Sequence, residues 1–287
     1  MSTLRDDPGN EDHVRRSVAR PASRHVVHAG TMTERAVVSI GVGAAIGPAL
    51  VARLAPAIEA AGFHALWVND VPGADSLAVL AAAAGTTTRL TLAAGVIPVD
   101  RRPAGRIAVE VDEHGLPQER LVLGIGSGGA TVGALQLVGD AASQLRSSLT
   151  ARIVVGAVGP KMRRLAVERS DGVLLSWLRP DVAAEQSAQA RAAASDPHVA
   201  LYVRTALDPS ARDRMQAEMR RYAAIPSYSA NFLRQGAGAP ETVLDASAHP
   251  VAERLASYRA AADEVVLRVI TPSDSLEDCL SLSLINI

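Results

Sequence analysis

The segment RIVVGAVGPKMRRLAVERSDGVLLSW (152–177) decides the fold. RIVVGAVG (152–159) is a short apolar run punctuated by glycine, KMRRLAVERS (161–170) has the length of a helix, and GVLLSW (172–177) is a second apolar run. Neither run alternates apolar with polar residues. Strands buried on both faces read this way, and parallel sheets are built from such strands. Strand, turn, helix and strand in this order make one βα unit and the start of the next.

The same texture extends in both directions. VVSIGV (37–42), ALWVND (65–70), RLTLAAGVI (89–97) and RLVLGIG (120–126) precede the segment, and HVALYVRTAL (198–207) and EVVLRVI (264–270) follow it. Helix-length stretches separate them. In the first, Leu50, Leu54, Ala57, Ile58 and Ala61 share one face and Gly62 supplies a stop. Asp75-Ser76 caps the next, 76–84, another spans 103–115, PDVAAEQSAQARAAA covers 180–194, and two more helical segments lie across 208–262. About eight βα units in about 250 residues predict an α/β fold, a (β/α)8 TIM barrel. The barrel occupies 36–287 as a single domain, with only a short insertion between strands 4 and 5. A doubly wound sheet is the competing fold. Gly41-Val-Gly-Ala-Ala-Ile-Gly47 satisfies its glycine fingerprint only in part, with Ile46 in the third glycine's place, and Asp70 closes the second strand. Residues 1–35 are polar, mixed in charge and without periodicity, and are expected to be a poorly ordered leader.

Composition narrows the function classes. Of 287 residues, 48% are hydrophobic but 3% aromatic, so the core is aliphatic, and 29 Lys+Arg against 30 Asp+Glu leave a net charge of −1. A near-neutral chain poor in aromatics has neither the field nor the stacking platforms of a nucleic-acid binder. No apolar run is long enough to span a membrane, and the first residues lack a signal-peptide core, so the expected location is cytoplasmic. Cys279 stands alone and the seven histidines show no ligand spacing, which excludes a disulfide and predicts no metal site.

In a barrel, chemistry sits at the C-terminal ends of the strands. Glycine is dense there, at Gly126-Ser127-Gly128 after the fourth strand and at Gly156–Gly159 after the fifth. Glycine lets backbone N–H groups approach a ligand, and such clusters favour phosphate. Pro160 suits the first helical position. Lys161, the chain's only lysine, places a cation at a helix N-terminus, which an intervening anion would make favourable; a solvated surface lysine is the other reading. Asp70 at the end of the second strand is a proton acceptor, a polar anchor or a helix cap. Trp177, closing the sixth strand, either stacks on a flat ligand or packs.

AGFHALWVNDVPGADSLAVLAAAAGTTTRLTLAAGVIPVDRRP (61–103), RLVLGIGSG (120–128), VVGAVGPKMRRLAVERSDGVLLSWLRP (154–180), RYAAIPSYSANFLRQG (221–236) and the final DEVVLRV together resemble the luciferase-like flavin and deazaflavin oxidoreductases, most of all the branch that uses coenzyme F-420. The resemblance spans about residues 37–271 and itself implies a (β/α)8 barrel. It implies a non-prolyl cis peptide at Gly95-Val96 supporting the cofactor ring, a cofactor-phosphate loop at Gly159-Pro160-Lys161-Met162 with Gly156 before it, and a second cofactor-contacting turn at Gly126-Ser127-Gly128. Asp70 matches an acidic position near the reactive ring edge, with Asn69 beside it and Trp177 on the cofactor side. The expected activity is hydride transfer between coenzyme F-420 and an organic small molecule, with an FMN-dependent monooxygenase and a non-catalytic binding barrel as alternatives. Relatives are often homodimers. Two features depart from the family: Val71 stands where many relatives carry His, and the stretch 127–151 is short. A smaller cover suits a deazaflavin, which reacts poorly with oxygen, better than a reduced flavin.

Overall fold

A computed structural model describes residues 36–280. The expected leader at 1–35 lies outside the described residues. Eight parallel strands close into a ring: β1 (Val37–Gly43), β2 (Ala65–Asn69), β3 (Thr91–Pro98), β4 (Leu121–Gly126), β5 (Arg152–Gly156), β6 (Gly172–Ser176), β7 (His198–Ala206) and, last in the chain, β9 (Glu264–Val269). Neighbours run β6-β5-β4-β3-β2-β1-β9-β7, and β7 pairs back onto β6. The two-residue β8 (Leu244–Asp245) pairs with Thr205 and Ala206 of β7. Closure settles the fold as a TIM barrel and removes the doubly wound alternative. The Gly41–Gly47 stretch carries the end of β1 into a tight turn, with Gly47 at φ +80° ahead of Pro48.

The helices are α1 (Pro48–Ala60), α2 (Ser76–Ala84), α3 (Ala104–Glu113), α4 (Ala134–Ser148), α5 (Pro160–Arg169), α6 (Pro180–Ala193), α7 (Arg212–Ala223), α8 (Pro226–Arg234), α9 (Val251–Arg259) and α10 (Leu276–Leu280). Asp75 caps α2 as expected, accepting from the Leu77 N–H at 2.9 Å, and Pro160 takes the first turn of α5. Only a loop at 127–133 and α4 separate β4 from β5. The expected pair of helices across 208–262 is three. Pro226 has no N–H to donate and pushes Ile225 into extended backbone (φ −84°, ψ 124°), so one helical stretch divides into α7 and α8; α9 follows after β8.

Strand parity sorts the core. On β2, Leu66 and Val68 face the helices while Ala65 and Trp67 face the bore; on β7, Val199, Leu201 and Val203 face out while Ala200 and Tyr202 face in. Small inward residues, Ala65, Ala93 and Ala200, leave the bore to two large rings. Trp67 and Tyr202 meet edge to face with centroids 5.7 Å apart. Glycine makes room for them: a Cβ on Gly95 would lie 2.8 Å from Trp67 Cε3 and 2.8 Å from the Tyr202 hydroxyl.

The closed end of the bore is polar. Glu264, 2% exposed, accepts from Trp67 Nε1 at 2.6 Å and from Ser39 Oγ, and its other oxygen meets His198 Nε2 at 2.8 Å. Burial raises this carboxyl's pKa, but the bonds from His198, Ser39 and Trp67 outweigh it and hold the value below the usual range.

Candidate active site at the barrel mouth

A cavity of about 330 Å³ opens at the C-terminal ends of the strands, a size typical of small-molecule sites. One wall is built on the end of β3. The Gly95-Val96 peptide is cis, as the resemblance implied. The register between β3 and β4 slips between Ala94 and Ile97, so the chain bulges into the mouth here. The Val96 side chain nests against two strand ends that carry no side chain. A Cβ on Gly126 would lie 2.8 Å from Val96 Cγ2, and one on Gly156 2.7 Å from Val96 Cγ1. The Asn69 amide donates to the Gly95 carbonyl, and Asn69 Oδ1 is buried without a partner.

Gly126-Ser127-Gly128 and Gly156–Gly159 lie side by side on the next arc of the wall, with Met162 above them. Gly128 has φ +59°, and a Cβ there would fall 1.9 Å from Asp100 Oδ1. Glycine is therefore required on both counts. The Asp100 carboxylate fastens this turn, accepting from the Gly129 N–H at 2.8 Å.

Pro160 and Lys161 are exposed and neither lines the cavity. Two arginines, which do not line it either, join Lys161 beside the β5–α5 turn. Arg163 Nη1 and Arg234 Nη2 both donate to the Val158 carbonyl, at 3.4 and 3.2 Å. Burial, and then the neighbouring Arg234 charge, push the Arg163 guanidinium below its ordinary pKa. Arg163 was not singled out in the sequence because charged residues are routine in a first helical turn, and Arg234 comes from α8.

Asp70 borders the cavity from β2. Its Oδ1 lies 3.7 Å from Arg102 Nη2 and accepts weakly from the Ser76 N–H at 3.4 Å.

Trp177 requires a correction. It is 1% exposed and does not line the cavity. Parity is the reason: Leu174 and Ser176 face inward, so Trp177 turns the other way, at φ +57°. It packs with Tyr222 and Phe232. Its carbonyl accepts from Asn231 Nδ2 at 3.0 Å and Gln235 Nε2 at 2.8 Å, so Trp177 ties α8 to the barrel.

The rest of the wall comes from two more strand ends and from two helices. Ser176 and Arg204, at the C-terminal ends of β6 and β7 where a barrel's chemistry sits, lie on inward positions and line the cavity. Tyr222, Ser227 and Tyr228 arrive from α7 and α8, far in sequence from any strand end. These two helices form the cover of the mouth. Glu218 of α7 joins it to β7, its Oε1 accepting from Arg204 Nε at 3.2 Å. Burial opposes the Glu218 charge, but Arg204 and Arg268 outweigh it and keep the carboxyl below its usual pKa. Burial pushes the Tyr228 hydroxyl up to about 12, so it is a donor at neutral pH.

A family model described as luciferase-like monooxygenase matches residues 27–147, which reach from β1 into α4. That segment includes Asn69, Asp70 and the Gly95-Val96 bulge, whereas the stretches at 154–180 and 221–236 that also suggested the likeness lie outside it. No curated protein sequence matches the chain. Among solved structures, an F-420-dependent secondary alcohol dehydrogenase bound to an F-420–acetone adduct superposes with a TM-score of 0.66 at 14% identity, covering 85% of this chain and 96% of that one. The F-420-dependent tetrahydromethanopterin reductase of Methanopyrus kandleri gives 0.63 at 15%, covering 87% and 98%. A monooxygenase from Streptomyces bottropensis gives 0.60 at 18%, covering 86% and 96%. At such identities the likeness is one of fold. All three are oxidoreductases by name.

Proposed function

We propose that this chain, luciferase-like from β1 into α4, is an oxidoreductase that works on an organic small molecule with a flavin-type cofactor, and that the cofactor is coenzyme F-420. The observation that carries the reading is the Val96 bulge seated against Gly126 and Gly156. Side chains at either glycine would collide with Val96, so three strand ends combine into one smooth, side-chain-poor shelf of the kind a flat ring system needs. The buried, unpartnered Asn69 Oδ1 at its edge calls for a donor from a ligand.

The residues fit such a cofactor. Val96 would support the ring, Asn69 would meet its polar edge, and the turns at Gly126–Gly128 and Gly156–Gly159 would present N–H groups to its phosphate, with Arg163 and Arg234 as counter-charges. When bound, a deazaflavin supplies a hydride acceptor or donor. Asp70 Oδ1 is held by Arg102 and Ser76, leaving Oδ2 without a partner among the described residues. Asp70 thus has an oxygen free to hold or move a proton. Tyr222 and Tyr228 restrict water above the shelf.

The short segment between β4 and β5 leaves the cover to α7 and α8, and this smaller cover favours F-420 over FMN, because a deazaflavin reacts poorly with oxygen. The family description, monooxygenase, favours FMN. Titrating the purified chain with each cofactor, followed by fluorescence, separates the two. Saturable F-420 binding at micromolar concentration is expected; tighter FMN binding selects the monooxygenase, and binding of neither sinks the reading.

A further inference from the structure

Arg204 stands two residues above Tyr202 on the inward face of β7 and is 4% exposed. Its Nε donates to Glu218 and its Nη1 to Ser176 Oγ at 2.5 Å. Its guanidinium lies 4.4 Å from the Trp177 ring centroid and 4.7 Å from that of Tyr222. Two hydrogen bonds and two rings therefore fix its plane. Nη2 has no partner among the described residues, and it is not sealed from solvent as the orphaned Tyr202 hydroxyl is. Because Arg204 lines the cavity, that donor edge opens into it.

The charge balance points the same way. Asp70 and Arg204 are the charged residues lining the cavity among the described residues, and they come from β2 and β7, with β1 and β9 between. Asp70 has Arg102 as its counter-ion. Glu218 is shared: it meets Arg204 at 3.2 Å and Arg221 at 3.6 Å, and Arg268 also stabilises its charge. Glu218 is thus shared among guanidinium groups and does not belong to Arg204 alone. A fixed guanidinium edge is suited to a planar two-oxygen anion, and Tyr228 lines the same wall with an aromatic ring.

We infer that the Arg204 wall is a substrate-anchoring subsite and that the organic substrate carries a carboxylate. This deepens the oxidoreductase reading by naming a substrate class, and it rests on that reading. Cofactor phosphate is assigned to the Gly156–Gly159 turn, so the two anion sites are separate.

The test is calorimetric titration of the full chain with benzoate, benzamide and inorganic phosphate. Benzoate should bind at least about tenfold more tightly than benzamide, the scale of one charged hydrogen bond. Arg204→Met should weaken benzoate by about tenfold or more. Glu218→Gln, which removes the competing carboxylate, should tighten it. Should Arg204→Met fail to fold, the benzoate-to-benzamide ratio and the Glu218→Gln response still decide. Equal binding of benzoate and benzamide, absence of benzoate binding, unchanged benzoate binding by Arg204→Met, weaker benzoate binding by Glu218→Gln, or phosphate that displaces benzoate at equal concentration would overturn the inference; phosphate that binds without displacing benzoate belongs to the glycine turn and leaves it standing. Cofactor titration of the same preparation separates it from its premise. Carboxylate selectivity without cofactor binding removes the cofactor reading and keeps the subsite; cofactor binding without selectivity does the reverse.

Discussion

At the scale of single residues, the site depends on where side chains are missing. Gly156 sits 2.7 Å, measured from an ideal Cβ, from a methyl of Val96, and valine has little rotamer freedom with which to retreat. Gly156→Ala should therefore displace the bulge. An overpacking cost of about 1–3 kcal/mol would appear as cofactor affinity lowered about 5–150-fold, and adding Val96→Ala should restore it. Cofactor titration of the single and double variants checks this; a single variant that binds normally would show that the shelf has no role. Gly124 makes the contrast. Its Cβ would lie 2.4 Å from the Ala94 carbonyl oxygen, a backbone atom that no second substitution removes, so Gly124→Ala should lower the thermal midpoint. Asp70→Asn keeps the side chain's shape but removes the proton site. Hydride transfer should fall about 100-fold or more, the usual contribution of a general acid–base, with the melting temperature nearly unchanged; an unaltered rate would leave Asp70 as an anchor only.

At the scale of elements, α7 and α8 behave as a cover pinned at few points. Asn231 and Gln235 both donate to the Trp177 carbonyl, and Arg204 holds Glu218. Asn231→Ala removes one of the two donors at a cost of about 1–2 kcal/mol. Amide exchange should quicken across Pro226–Arg234 while strand amides keep their protection, as expected of a local opening. A uniform loss of protection would mean that the cover is part of the barrel's cooperative unit. This element is also where the sequence was hardest to read. The strands announced themselves because each is a continuous apolar run closed by glycine or a polar residue, and all eight lie where predicted, with ends within two residues except that β5 stops at Gly156, three residues short of the predicted run. Residues at strand ends were legible in the same way, which is why Asn69, Asp70, Gly95, Val96, Gly126 and Gly156 reach the cavity. Residue type suggests a mouth-facing Trp177, whereas the parity of β6 turns it away from the cavity. Tyr222, Ser227 and Tyr228 belong to helices whose docking is a tertiary event, and nothing local in 208–262 says which face will meet the mouth.

At the scale of the whole molecule, the barrel divides its labour along its axis, as this fold generally does. The open end holds the shelf, the glycine turns and Arg204. The closed end holds Glu264 with Ser39, Trp67 and His198. The folded pKa of Glu264 lies below its unfolded value, so in acid the unfolded chain binds more protons than the folded one. The stabilisation is complete above about pH 4.5 and is lost as pH falls through the lowered folded value. Melting temperatures should decline on that acid limb. Glu264→Gln leaves part of the cluster unsatisfied and should cost about 2–4 kcal/mol at neutral pH, the range for breaking a buried polar pair, while flattening the acid limb. Because the Trp67 ring stands between Glu264 and Gly95 and Glu264 itself does not line the cavity, the folded fraction of this variant should bind cofactor with unchanged affinity. Gly156→Ala should show the converse, with weakened cofactor binding and a nearly unaltered pH–stability profile. Measuring both quantities on both variants tests the division directly. If Glu264→Gln lowered cofactor affinity in proportion to its loss of stability, the two ends of the barrel would be coupled through the Trp67–Tyr202 pair that fills the bore between them.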